Sequence, residues 1–153
     1  ADERHARRIA RAVVAARPLS DTSHLAEVVR DAIPAATRRR GGHPAKRAFQ
    51  AIRIEVNAEL DQLGDALDEA VRRLVPTGRG VVLSYHSGED RIVKHCFDRA
   101  ATGGCNCPRR LPCTCGATPL AVLPRRAGRV PSEDEARDNP RAASARLRML
   151  ERR

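Results

Sequence analysis

The segment His86-Ser87-Gly88-Glu89-Asp90-Arg91 gathers an imidazole, two carboxylates and a guanidinium directly after the apolar run Val81-Val82-Leu83-Ser84-Tyr85. Such a set can orient a base or a phosphate through charge-assisted hydrogen bonds. If the apolar run is a strand of an open α/β sheet, the segment stands at its carboxyl end, where such sheets bind ligands. A structural reading is open beside it: Ser87 and Asp90 would cap a helix while His86 and Arg91 brace the loop.

A second group is Cys105-Asn106-Cys107, followed after five residues by Cys113-Thr114-Cys115, with Cys96 left over. Four thiolates in two close pairs, separated by a turn containing Pro108 and Pro112, could form a tetrahedral all-cysteine zinc site. Structural zinc sites usually place two or more residues between paired ligands, so two Cys-x-Cys pairs match that pattern less well than two Cys-x-x-Cys pairs. Reduced thiols in a loop are the alternative, and disulfides fit poorly with a chain that shows no export signal. In either case the role is structural.

Basic side chains form the third group: Arg4, Arg7, Arg8 and Arg11, then Arg38, Arg39 and Arg40, then His43, Lys46, Arg47 and Arg53. The 153 residues carry 29 Lys plus Arg against 19 Asp plus Glu, a net charge of +10, which makes nucleic acid or another polyanion the leading class of partner. A solvated charged surface is the plainer reading. Phe49, Tyr85 and Phe97 are the only aromatic residues, which argues against base stacking on several exposed rings and leaves basic groups to carry most of any RNA affinity. No Gly-x-Gly-x-x-Gly loop and no Gly-x-Ser-x-Gly nucleophile motif occurs. With 41% hydrophobic and 31% charged residues the chain is too apolar for wholesale disorder. No apolar run is long enough to span a bilayer, so a cytoplasmic location without membrane contact is expected.

The elements that must hold these groups are legible in the spacing. Ile9, Ala10, Val13 and Val14 predict a short amphipathic helix ending before Pro18; Leu25, Val28, Val29 and Ile33 predict a second, capped from Ser20-Asp21-Thr22-Ser23 and stopped at Pro34. Thr37 to Pro44 combines adjacent arginines with Gly41 and Gly42, which places a domain boundary near residue 42. Phe49, Ile52, Val56, Leu60, Leu63, Leu67, Val71 and Leu74 predict one long helix with a continuous buried stripe. Val81 to Tyr85 lacks polar alternation and predicts a strand buried on both faces. A Cys-rich loop at 103–116, a strand at Leu120 to Leu123 and a short helix after Ser132 follow. Last, Ala145, Leu147 and Met149 alternate with Ser144, Arg146 and Arg148 as a half-buried strand in an antiparallel pair. The chain begins with Ala and enters a helical pattern almost at once, so a preceding segment is expected.

The run from His43 to Leu60, HPAKRAFQAIRIEVNAEL, resembles a signature of the bacterial 16S ribosomal RNA cytosine-N4 methyltransferases. Tyr85 to Lys94 and Asn139 to Arg148 agree with the same family in order and spacing. With Ala6 to Ala12 the resemblance covers essentially the whole chain. It implies an α/β fold: the C-terminal part of a doubly wound methyltransferase sheet, preceded by part of an inserted all-helical substrate-recognition domain. Residues 1–42 would be the remainder of that insertion and 43–153 the C-terminal part of the core. The S-adenosylmethionine site would belong mainly to a half upstream of Ala1, with no cofactor-binding residue in this chain. Gly88, Lys46 and Ala143 depart from the family's usual Leu, Thr and Arg; His86, Glu89, Asp90 and Arg91 do not depart.

The activity so implied is S-adenosylmethionine-dependent N4-methylation of a cytosine in the decoding region of 16S rRNA, with the small ribosomal subunit as partner and this chain inactive alone. His86, Glu89 and Asp90 would shape the acceptor side of the pocket. Arg38, Arg39, Arg40, His43, Lys46, Arg47, Arg53, Arg91 and Arg141 would hold RNA. Cys105, Cys107, Cys113 and Cys115 are the metal candidates, to which the resemblance itself adds little. The rival class is a non-catalytic basic RNA-binding module, stabilised by zinc or not. Unpaired sheet surface would favour self-association, and the sequence does not fix an oligomeric state.

Overall fold

In the computed structural model the described residues are 3–35, 43–108, 112–125 and 127–153. The boundary expected near residue 42 falls outside them, as do Arg38, Arg39 and Arg40. The chain divides into two compact units, Ala1–Ala58 and Glu59–Arg153.

The first unit is helical: α1 (Ala6–Ala15), α2 (Thr22–Ala32) and α3 (Lys46–Asn57). Of the cap candidates ahead of α2, Asp21 takes the position, accepting the His24 N–H at 2.8 Å. Ile9, Val29, Ala32, Ile33 and Ala45 form the buried centre, and Val13, Leu25 and Phe49 pack on it. The amphipathic spacing is used in part: Ile9 and Val13 of α1 and Leu25 and Val29 of α2 turn inward, whereas Ala10 and Val14, read as part of the same stripe, are exposed beside Arg4, Arg7, Arg8 and Arg11.

The long helix expected from Phe49 to Leu74 is two helices. Ala58 adopts a left-handed conformation (φ 49°) and α4 (Glu59–Arg73) starts anew after it. A left-handed alanine costs about 1–2 kcal/mol, which a continuous helix would not spend. The stripe serves two different centres: Phe49 belongs to the first unit, whereas Leu63, Leu67, Val71 and Leu74 belong to the second. Val56, between them, is exposed. Glu59 and Asp61 in the first turn of α4 and Arg72 and Arg73 in its last complement the helix dipole and mark it as a separate helix.

The second unit continues with β1 (Arg79–Ser84), α5 (Ser87–Thr102), β2 (Ala121–Val122), β3 (Gly128–Arg129), α6 (Glu133–Asp138), a 3₁₀ turn at Ala142–Ser144 and β4 (Arg146–Arg152). It is an α/β unit with a small antiparallel sheet. The last strand is central: β1 pairs with one edge of β4, from Arg79 opposite Glu151 to Ser84 opposite Arg146, and β2 and β3 pair with the other. Ser132 caps α6 as expected, accepting the Glu135 N–H at 3.1 Å.

Two expectations about this sheet are corrected. The strand β1 is buried on one face only. Val82 packs against α4 and α5, while Val81 and Leu83 are 56% and 50% exposed, because nothing among the described residues covers the outer face. In β4 the fully buried side chain is Leu150, on the opposite face from Leu147 and Met149. The period-2 signal was real, but the inward face is the one carrying Arg146, Arg148 and Leu150. An arginine can point inward there because it meets a carboxylate from α5. Leu67, Val71, Val93, Phe97, Ala121 and Leu150 are the centre that fixes β1 against α5, and burying a leucine like Leu150 is worth about 1.5–3 kcal/mol.

Candidate functional site

The carboxyl end of β1 runs directly into α5, and the turn between them is closed by its own side chains. His86 is the cap residue, in extended conformation, and its Nδ1 accepts the Glu89 N–H at 3.3 Å. The Glu89 carboxylate reaches back, accepting the Tyr85 N–H at 2.9 Å and the His86 N–H at 3.3 Å. This is a capping box built on His86 and Glu89. The Ser87 and Asp90 pairing considered from the sequence is not the one formed.

Asp90 is engaged elsewhere. Its two carboxylate oxygens accept from Arg148 Nε at 2.6 Å and Nη2 at 2.9 Å, a bidentate pair in which both side chains are mostly covered. The Arg148 hydrogen bonds hold the Asp90 carboxyl below its ordinary range, against the opposing effect of burial. Asp90 is therefore a fixed anion tying α5 to β4. Nothing in the sequence pairs it with Arg148, 58 residues away; only the inward-facing side of β4 reveals the partner.

With its Nδ1 accepting a backbone N–H, a neutral His86 ring carries its proton on Nε2. That atom is buried and has no hydrogen-bond partner among the described residues. It lies 3.2 Å from Glu89 Oε1, but without the direction of a hydrogen bond. A buried polar atom left unpaired costs free energy, and such atoms are uncommon away from sites of function. A β-carbon at Gly88 would stand 3.1 Å from His86 Nδ1 and 3.4 Å from Leu60 Cδ1, close enough that the ring would have to give by a few tenths of an ångström.

The turn thus holds one buried side-chain atom without a hydrogen-bond partner among the described residues, His86 Nε2, on a backbone fixed from both sides. Tyr85 is exposed beside it. Arg91 is exposed on the first turns of α5. Arg141 is exposed after α6, its N–H bonded to Asn139 Oδ1 at 3.2 Å. The remaining basic candidates belong to the first unit: His43, Lys46, Arg47 and Arg53 are exposed on α3 and the turn before it. Arg47 also approaches Glu3 at 3.4 Å.

The five cysteines separate into two environments. Cys96 is buried in α5, donates to Asp68 Oδ1 at 3.0 Å, and its thiol is pushed up to about 12, first by burial and then by the neighbouring carboxylate. Arg99 pairs with the same Asp68. Cys96 is a protonated packing group. Cys105, Cys107, Cys113 and Cys115 lie together in the loop after α5, their four sulfurs within 4.8 Å of one another.

The whole chain, residues 1–153, matches the MraW methylase family. Three similar proteins, each called ribosomal RNA small subunit methyltransferase H, illustrate the likeness. The one from Thermobifida fusca is 53% identical over 99% of this chain and 46% of its own length. That from Paenibacillus sp. is 50% identical over 99% of this chain and 49% of its own. That from Pelobacter propionicus is 48% identical over the same shares. The chain spans about half the length of the curated relatives it matches. No helix among the described residues is long and apolar enough to cross a membrane.

Proposed function

The chain belongs to the MraW methylase family, and from that premise we propose that it forms the acceptor side of an S-adenosylmethionine-dependent enzyme that methylates N4 of a cytosine in the decoding region of 16S rRNA. The observation that carries this reading is the turn after β1: a rigid capping box whose one unpaired buried atom, His86 Nε2, stands at the carboxyl end of a strand. Similarity to proteins named as small-subunit rRNA methyltransferases supplies the substrate class.

Transfer to the exocyclic amine needs the nitrogen in line with a sulfonium methyl; the N–C bond would form as the S–C bond breaks, the sulfur leaving as a neutral thioether and the N4 proton passing to water. S-adenosylmethionine supplies the electrophilic methyl. What this chain supplies is pose. The His86 Nε2–H donates to an acceptor on the cytosine ring, Glu89 keeps the turn rigid, and the Asp90–Arg148 pair fixes α5 against the sheet. Holding reactants in a near-attack geometry can lower a barrier by about 7–11 kcal/mol. The base must be unstacked before it can enter. Exposed Lys46, Arg47, Arg53, Arg91 and Arg141, with Arg38, Arg39 and Arg40, track the phosphates, and the small ribosomal subunit in the cytoplasm is the natural substrate.

The doubly wound sheet is part of the same proposal. Among the described residues β1 pairs with β4 alone, so its other edge keeps unpaired N–H and C=O groups. Val81, Leu83 and Tyr85 are half exposed on the outer face. The remaining half of the relatives' length would cover that face and edge and carry the cofactor loop, for which no Gly-rich motif exists here. Residues 1–42 would then be the end of an inserted recognition domain and 43–153 the return to the core.

The test is product analysis. The full-length protein is incubated with small ribosomal subunits and methyl-labelled S-adenosylmethionine, and the 16S rRNA is digested and analysed by mass spectrometry. The proposal expects N4-methylcytosine at one position in the decoding region. RNA binding without transfer would favour the non-catalytic RNA-binding module instead, and label on another atom would overturn the N4 assignment.

A further inference from the structure

The loop that joins α5 to β2 has no apolar reason to be ordered. From residue 101 to 120 no described side chain is buried, and connections of more than about 12 residues without internal structure are uncommon unless something holds them. Its stem is well defined. Gly103 ends α5 at φ 64°, and a β-carbon there would meet the Thr118 backbone at 2.6 Å. The Gly104 N–H reaches Arg99 O at 3.1 Å, and the Leu120 N–H reaches Ala100 O at 2.8 Å. The Leu120–Ala100 bond and the close approach of Gly103 to Thr118 bring the two ends of the loop together, and both Cys-x-Cys pairs lie on that stem side.

On that side are four sulfurs. Cys105 Sγ is 3.4 Å from Cys113 Sγ, Cys113 Sγ is 3.3 Å from Cys115 Sγ, and all four lie within 4.8 Å of one another. A zinc ion bonded to sulfur at about 2.3 Å in tetrahedral geometry sets its ligands about 3.8 Å apart, in the middle of this range. A disulfide would need about 2.05 Å, and none of the five cysteines is so bonded. The Cys107 N–H points at Cys105 Sγ at 3.4 Å, the kind of outer hydrogen bond that steadies a metal thiolate. Gly104 (φ 78°) and Gly116 (φ 69°) allow the left-handed turns on either side of the pairs.

We propose that Cys105, Cys107, Cys113 and Cys115 bind one zinc ion beyond the C-terminal end of α5. The short Cys-x-Cys spacing, a poorer match on paper, is accommodated because the stem delivers both pairs to the same place. Thiolate softness and tetrahedral S₄ geometry select zinc over hard cations. All four thiols lose their protons on binding, so zinc uptake is accompanied by proton release. The site is structural: four protein ligands leave no open position for water or substrate.

The test is metal content, read independently of methyl transfer. The full-length protein is purified under reducing conditions from zinc-supplemented cells and analysed by inductively coupled plasma mass spectrometry, and cobalt is titrated into chelator-stripped protein. The proposal expects a single zinc per chain, intense visible bands of tetrahedral tetrathiolate cobalt, and four thiols that alkylate only after chelation. Cys107→Ser and Cys113→Ser should each lower bound zinc at least tenfold, while Cys96→Ala keeps it. The cobalt titration of unsubstituted protein preserves the test if those variants fail to fold. Absence of stoichiometric metal, iron in place of zinc, two disulfides in freshly reduced protein, or zinc retained by a variant lacking all four cysteines would each overturn the proposal. None of these outcomes depends on whether the enzyme methylates cytosine.

Discussion

At its N-terminus helix α5 closes on itself. His86 and Glu89 exchange hydrogen bonds with each other's backbone, and Asp90 locks the first turn to β4 through Arg148. At its C-terminus the same helix opens into a loop with no buried side chain among its described residues, joined at its stem by Gly103 and backbone bonds, where four sulfurs come together. One end is organised by charges and amides that the chain itself satisfies; the other leaves its strongest ligands pointing at each other. A closed hydrogen-bond network keeps a binding surface rigid in the free protein.

Substitutions at the two ends should therefore fail in different ways. The largest loss of stability is expected from Gly103→Ala, which combines a left-handed alanine with a β-carbon placed 2.6 Å from the Thr118 backbone. Urea unfolding should register a cost of about 2–4 kcal/mol; a loss below half a kcal/mol would mean that the stem relaxes and does not direct the cysteines. Next comes Arg148→Leu, which leaves Asp90 largely covered without its partner and should cost about 2–3 kcal/mol.

The same pair has a pH signature. The folded Asp90 carboxyl is held low, so its contribution is fully present above the unfolded value of about 3.9 and is lost as pH falls through the lower folded value. Acid unfolding of the Arg148→Leu protein should begin at higher pH and be shallower than in the parent. Identical acid limbs would show that the pair contributes nothing to stability. The smallest effect belongs to Glu89→Gln. That side chain keeps its shape and one acceptor oxygen but loses charge-assisted strength, worth about 1 kcal/mol, and thermal melting can detect the difference.

How much of this could be read in advance differs along the chain. Helices α1 and α2 and the Asp21 cap of α2 follow from local spacing, because each helix turns one face to the centre of its own unit. The stripe from Phe49 to Leu74 has an unbroken period too, yet Ala58 divides it. Periodicity reports which residues are apolar and not whether one neighbour or two receive them. The turn after β1 was legible as a cluster, while its wiring was not. Ser87 and Asp90 look like a cap, but His86 and Glu89 form it, and Asp90 is taken by an arginine on a strand that closes the chain. The alternation in β4 gave the strand and concealed its inward side, since Arg146 and Arg148 read as the solvent face. In the cysteine loop the pair spacing argued against a metal, and only the geometry of the stem shows why short pairs can still converge.

The central claim is that the turn after β1 poses the accepting base through His86. It is tested most directly by single-turnover methylation of small ribosomal subunits with full-length protein carrying His86→Ala, alongside cofactor affinity and melting temperature. Loss of one preorganised hydrogen-bond donor costs about 10²–10³ in rate, so a fall of about a hundredfold is expected, with cofactor binding unchanged and melting lowered only by the weakened cap. A rate within twofold of the parent, or a fall that simply tracks unfolding, would contradict the account.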